Sequence, residues 1–165
     1  MSRLFVAVWP DPAVRSALAA LPRPEEVGVR WVPPERWHVT VRFLGDADPE
    51  AASRALGTLA ARPAIARFGP AVSRLGRTVL CVPVRGLDGL AADVAHVTEG
   101  IGEPPDPRPF VGHLTLARLH QRGSCRLAGH KVRAEMAVPQ VALVASEVRP
   151  EGTTYRRVAT FPLEG

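Results

Sequence analysis

The sequence predicts an α+β fold of two similar lobes, and three observations carry that prediction. Short runs rich in strand formers recur along the whole chain. Helical segments open at Asp11-Pro12 and Asp48-Pro49, and a third follows Gly86 to Gly89. Each half also holds one strand with the same triplet, His38-Val39-Thr40 and His113-Leu114-Thr115. No low-complexity linker divides the halves, so residues 1–165 read as a single domain of two intimate lobes. Identity between the halves is slight outside the triplet.

Arg3 to Trp9 alternates weakly and reads as a strand. Asp11 is an N-cap with Pro12 at the first helical position, and the helix runs to about Leu21 with Val14, Leu18 and Leu21 on one face. Pro22 and Pro24 stop it. Val29 to Val32 is a short strand, broken by Pro33-Pro34. The first motif strand runs from Trp37 to Leu44 and ends at Gly45. Asp48-Pro49-Glu50 starts a second helix, to about Ala61. Ala66 to Ser73 and Thr78 to Val84 form two strands joined at Leu75-Gly76-Arg77. A third helix spans about Leu90 to Gly100. Pro104 to Pro109 is a stiff extended loop that delivers the second motif strand, Phe110 to Leu119. Gln121 to Gly129 is a polar loop. Lys131 to Met136, Gln140 to Val148 and Tyr155 to Phe161 close the chain as strands, the last two joined by a turn at 151–154.

The two triplets carry the chemistry. Side chains two apart on a strand share a face. His38 therefore sits beside Thr40, and His113 beside Thr115, while Val39, Val41, Leu114 and Leu116 face a core. A chain with five His and eight Thr holds about 0.24 His-x-Thr triplets by accident; two copies with aliphatic neighbours arise on the order of once in a thousand such chains. An imidazole and a hydroxyl, presented twice, suit a phosphoryl group held between two strands. Two imidazoles titrating near neutrality supply a base for an attacking water and an acid for a departing oxygen. The hydroxyls donate to non-bridging oxygens, where charge develops.

Composition narrows the partners. The net charge is +5, and nearly all the base is arginine, because Lys131 is the one lysine. This favours an anionic partner such as RNA or a phosphorylated small molecule, although arginine with abundant Ala, Pro and Gly also follows from coding bias. There is no RNP-type aromatic motif and no lysine-rich tail, which argues against a dedicated RNA-binding module. No stretch approaches the ~20 apolar residues of a membrane span. The N-terminus runs straight into a strand without signal-peptide architecture. Cys81 and Cys125 lack CxxC spacing and read as reduced, in a cytoplasmic protein.

At His38-Val39-Thr40-Val41-Arg42-Phe43-Leu44-Gly45 and Phe110-Val111-Gly112-His113-Leu114-Thr115-Leu116-Ala117-Arg118 the sequence resembles the 2H phosphoesterase superfamily. Within it, the likeness is to the RNA 2′,3′-cyclic phosphodiesterases, also described as 2′-5′ RNA ligases. Arg3-Leu4-Phe5-Val6-Ala7 resembles that family's opening strand, and Ser146, Gly152 and Tyr155 its C-terminal stretch. One departure is Gly112, where the family commonly has Pro. The resemblance implies a bilobal fold in which two antiparallel sheets flank a central groove, with helices outside and no metal or organic cofactor. It implies hydrolysis of RNA 2′,3′-cyclic phosphate ends to 2′-phosphomonoesters, with His38 as proton donor and His113 as proton acceptor; a monomer is expected. The residues alone do not distinguish the two roles. Microscopic reversibility also allows 2′-5′ ligation.

The flanking residues follow. Strand parity turns Arg42 towards the groove and Arg118 away from it, whereas the resemblance implies that Arg118 reaches the phosphate. A bulge or strand end near Ala117 reconciles the two, and Arg118 is preferred over Arg42 as phosphate ligand. Trp37, Phe110 and Tyr155 are candidate base or groove contacts, and Phe43 has core parity. His96, His120 and His130 read as surface residues. The alternatives are a cyclic phosphodiesterase acting on a small nucleotide, an RNA-end binding protein with weak turnover, and a metal site using His38, His113 and a Cys. The last lacks HxH, HExxH or CxxC spacing.

Overall fold

Both faces of the first strand are covered, which is why its alternation is faint. In the computed structural model, which describes residues 2–120 and 125–163, β1 (Ser2–Val8) buries Leu4, Val6 and Val8 in the main core. Its opposite face carries Phe5 and Ala7, which pack with Ala142 and Val144 in a second, smaller cluster beside Trp9 and Tyr155. Fully burying an aliphatic side chain contributes about 1.5–3 kcal/mol, so the main core, with dozens of such residues, holds the fold. The smaller cluster shapes a surface.

The two Asp-Pro helix starts form as expected. The Asp11 carboxylate accepts from the Val14 amide at 2.8 Å and opens α1 (Pro12–Ala19). Asp48 accepts from the Glu50 amide at 3.2 Å and opens α2 (Pro49–Leu56). Helix α2 stops well before Ala61. Gly57 follows its last residue, and the Thr58 hydroxyl donates to the Ala55 carbonyl at 2.6 Å, which satisfies a terminal acceptor. After the short strand β2 (Val29–Trp31), a single 3₁₀ turn at Pro34–Arg36 leads into β3 (Val39–Ala47).

The strand expected over 66–73 is split into β4 (Ile65–Phe68) and β5 (Ser73–Leu75). Pro70 between them lacks an amide to donate, and Gly69 has φ +114°, outside strand geometry. Then come β6 (Val79–Arg85), α3 (Asp88–Val97) and β7 (His113–Leu119). The polar loop expected at 121–129 falls partly outside the described residues. The chain closes with β8 (Ala134–Ala137), β9 (Gln140–Arg149) and the long β10 (Gly152–Pro162).

The strands do not form two separate sheets. They follow one path, β10-β9-β1-β3-β7-β6-β4-β8, with β2 added on β7 and β5 on β6. The halves meet at β3 and β7, which share a single pair, Val39 with Leu114. Neighbouring strands twist relative to one another, and a seam one pair long lets the two halves curl. The three helices contribute Val14, Leu18, Leu56, Leu90 and Val94 to the main core together with Leu114 and Leu116. They therefore cover one face of the sheet and leave the other free for a groove. No helix among the described residues is long and apolar enough to cross a membrane.

Candidate active site

The groove of about 310 Å³ on the helix-free face collects both triplets: His38, Thr40, His113 and Thr115 line it with Arg3, Phe5, Arg36, Phe43, Arg118, Ser146 and Tyr155. The seam pair Val39–Leu114 explains the meeting. Each paired residue immediately follows a motif histidine, so the one rung that joins the halves brings both imidazoles to the same groove, diagonally across that rung.

Both rings are anchored in the same way. The Nδ1–H of His38 donates to the Arg36 carbonyl at 2.7 Å, and that of His113 donates to the Val111 carbonyl at 2.8 Å. In each case the acceptor lies two residues upstream. This selects one tautomer and leaves Nε2 as the reactive nitrogen. The environments then diverge. His38 is partly buried, as His113 is, but it packs among Phe5, Trp9 and Tyr155, with ring centroids at 5.0, 5.3 and 5.4 Å. Its Nε2 lies 3.0 Å from Thr40 Oγ1. Burial pushes its pKa below the ordinary imidazole value; the bond to the Arg36 carbonyl opposes this, and the positive charges of His113 and Arg118 reinforce it. His113 is half-exposed at the start of β7, and among the described residues no hydrogen bond joins it to Thr115.

Bulges decide which arginine enters the groove. Along β3, Ala7 pairs with Thr40 but Val6 pairs with Arg42, so Val41 is an extra residue. Parity reverses there. Arg42 follows Val6 into the core side, and Phe43 follows Phe5 onto the groove face. Both expectations drawn from regular alternation are thereby corrected: Arg42 is not a groove residue, and Phe43 is 43% exposed at the groove instead of packed in the core. Arg42, 5% exposed, donates from Nε to Thr98 Oγ1 at 3.2 Å, from Nη1 to the Phe43 carbonyl at 3.1 Å and from Nη2 to the Ile101 carbonyl at 3.4 Å. It ties β3 to the end of α3. On β7 the mirror event occurs. Cys81 pairs with Thr115 and Leu80 with Ala117, so Leu116 is the extra residue, and Arg118 returns to the face of His113 and Thr115. The expected bulge is present, one residue earlier than Ala117.

The aromatic candidates separate. Tyr155 is in the groove, edge-on to His38. Trp37 is not: it is 1% exposed, and its indole N–H donates to the Val32 carbonyl at 3.2 Å inside the core. Regular alternation would have set it on the face opposite His38 in any case, and the core claims that face. Phe110 lies against the core and lines a second, wider cleft that opens past Phe43 and His113 between α3 and the proline-rich loop. His96, His120 and His130 are exposed, away from the groove. Phe5, Arg3, Arg36 and Ser146 are groove residues that motif reading passed over as site candidates. Arg3 and Phe5 share one parity of β1, a signal that becomes legible once that face is known to be the groove face.

Gly112, where the resemblance leads to an expectation of Pro, has a local reason. A Cβ there would come within 2.2 Å of the Val84 carbonyl oxygen, and the Val84 amide donates to the Gly112 carbonyl at 2.9 Å. The β6 backbone occupies the space that any side chain needs. Among the described residues no cluster of three or more His, Cys, Asp or Glu side chains is placed to hold a metal ion.

Comparison with known proteins agrees with this architecture. The LigT like Phosphoesterase family model matches residues 8–77, which include the first triplet. The chain is 31% identical to an RNA 2′,3′-cyclic phosphodiesterase of Geobacillus stearothermophilus over 82% of its own length, and spans about half (48%) of that relative. It is also 31% identical to the RNA 2′,3′-cyclic phosphodiesterase of Thermus thermophilus, covering 99% of this chain and 91% of the relative. The crystal structure of TT0787 of Thermus thermophilus superimposes with a TM-score of 0.81 at 31% identity, covering 99% of this chain and 98% of that one. The chain is more than 30% identical to a relative that it spans almost completely, and it belongs to the LigT-like phosphoesterases of the 2H superfamily.

Proposed function

We propose that this protein hydrolyses 2′,3′-cyclic phosphates at RNA ends and leaves a 2′-phosphomonoester, by acid-base catalysis between His38 and His113. The observation that carries this reading is the pair of imidazoles in one groove, each with Nδ1 tied to a carbonyl so that Nε2 is the nitrogen turned to proton transfer, with Thr40 Oγ1 as its neighbour in His38. The names of the two relatives support the substrate class. Residues 1–165 act as one domain and as a monomer, in the cytoplasm, with each half of the curled sheet supplying one His-x-Thr wall.

In this mechanism His113 takes a proton from the attacking water. His38 gives a proton to the departing 3′ oxygen, and Arg118 with the threonines holds the phosphate. The His38–Thr40 contact couples two of these events. When His38 is neutral, the Thr40 hydroxyl donates to Nε2 and has no proton for a ligand. When His38 is protonated, Nε2–H faces Thr40 until it passes to the departing 3′ oxygen, and the hydroxyl keeps its own proton free to donate to a phosphate oxygen. The form of the enzyme with its acid loaded is thus also the form that binds the anion. The same groups run backwards in 2′-5′ ligation.

The test is an assay of nucleoside 2′,3′-cyclic phosphates and a cyclic-phosphate-ended oligonucleotide in EDTA, with the product position determined. The expected result is turnover in chelator with a 2′-phosphate product. Loss of all activity in EDTA, restored by a divalent ion, overturns the metal-independent mechanism. Binding without turnover supports the end-binding alternative.

A further inference from the structure

The groove carries more positive charge than its reaction centre needs. Its lining includes the guanidiniums of Arg3, Arg36 and Arg118 and no carboxylate. Among the described residues none of the three takes part in an ion pair. A cyclic phosphodiester carries a single negative charge. Arg118 stands on β7 beside the His113–Thr115 face and, with the two threonines, suffices for that charge.

Arg36 and Arg3 belong to the other wall. Arg36 lies in the turn before His38. Its Nη1 donates to the Thr153 carbonyl at 3.1 Å, and its guanidinium stands 6.0 Å from the Tyr155 ring centroid. These contacts hold the side chain in place while using few of the five donors of a guanidinium. Arg3 lies 5.5 Å from the Phe43 ring centroid. Arg3 pairs with Ser146, and Ser146 with Tyr155, so Arg3 and Tyr155 sit on one row across β1, β9 and β10, about 10 Å apart at two strand spacings. Two oriented arginines therefore bracket the wall facing Arg118. Binding one anion needs neither of them, and a second anionic group accounts for both.

Resting on the hydrolytic reading above, we propose that Arg36, assisted by Arg3, binds the phosphodiester that links the terminal nucleotide to the one before it. The preferred substrate is then the end of an oligonucleotide, and a free nucleoside 2′,3′-cyclic phosphate fills half of the site.

The experiment compares three cyclic-phosphate substrates: a mononucleoside, a dinucleotide, and the same dinucleotide with an uncharged methylphosphonate linkage. With the unaltered protein, kcat/KM should be about tenfold or more higher for the dinucleotide, as expected for a hydrogen bond to a charged group. The neutral linkage should abolish that advantage. Arg36→Gln should lower the dinucleotide-to-mononucleoside ratio about tenfold, and Arg3→Gln should lower it by less. In parallel, equilibrium binding of the 2′-phosphorylated mononucleoside and dinucleotide is measured. Absence of turnover with linkage-charge-dependent binding overturns the hydrolytic reading and leaves this subsite standing. Equal kcat/KM and equal affinity for charged and neutral linkages overturn the subsite, whatever the variants do.

Discussion

The β3 and β7 walls carry the same triplet and the same Nδ1–carbonyl anchor, yet they build different sites. On β3, His38 is enclosed by three aromatic rings and bonded to Thr40, and the bulge at Val41 sends the following arginine into the core. On β7, His113 is half-exposed, and the bulge at Leu116 brings the following arginine back to the groove. A duplicated motif thus gives a pair of unequal groups: one packed among aromatic rings and bonded to its threonine, one without either contact among the described residues. The acid-base mechanism proposed above needs such inequality, because in it one imidazole gives a proton while the other takes one. Single extra residues in two strands, outside the triplets themselves, create the difference in the arginines.

The largest effect expected from breaking this asymmetry is loss of either imidazole. His38→Ala and His113→Ala should each lower kcat by about 10²–10⁴-fold on a cyclic phosphate. An activated aryl phosphodiester, whose leaving group needs no proton, should recover much of the His38→Ala defect and little of the His113→Ala defect. Rescue of His113→Ala alone reverses the assignment, and rescue of both or neither removes the acid-base partition.

A smaller contrast separates the two arginines. Arg118→Gln should reduce kcat/KM by about 10–100-fold, the loss of a hydrogen-bonded charge on the reacting anion, with little change in thermal stability. Arg42→Gln should do the opposite. It breaks bonds to Thr98 and to the Phe43 and Ile101 carbonyls, so about 1–3 kcal/mol of stability is expected to go. Denaturant titration of both variants beside their kinetics checks this. If Arg42→Gln proves stable but catalytically impaired, the bulge argument fails.

The smallest expected effect is a shift in pH dependence. His38 has its pKa lowered below 6.5, first by burial and then by the charges of His113 and Arg118. A donor must be protonated, so kcat/KM should decline as pH rises through that lowered value. A bound phosphodiester adds negative charge beside His38 and raises its pKa, so the corresponding limb of kcat should lie at higher pH. Removing a repelling cation acts in the same direction, and Arg118→Gln should move the kcat/KM limb upward. NMR titration of His38 in the free protein gives the direct check. An activity limb that rises through the His38 pKa instead would make His38 the base.

The local features of this protein are legible in its sequence alone. Asp-Pro starts place α1 and α2, because an aspartate cap and a proline at the first turn act within a few residues. The recurrence of His-x-Thr identified the four central side chains, since a strand period of two sets neighbours on one face whatever surrounds them. Regular alternation then failed where the register slips. Arg42, Phe43 and Arg118 lie beyond the extra residues Val41 and Leu116, and a bulge depends on the partner strand, which the local sequence does not name. The same holds for the curled single sheet and for the basic wall of Arg3 and Arg36. Arg3 meets Ser146 and Arg36 meets Thr153 through pairings more than a hundred residues apart. Folding alone brings such residues together, because strand pairing across that distance is decided by the packing of the whole core.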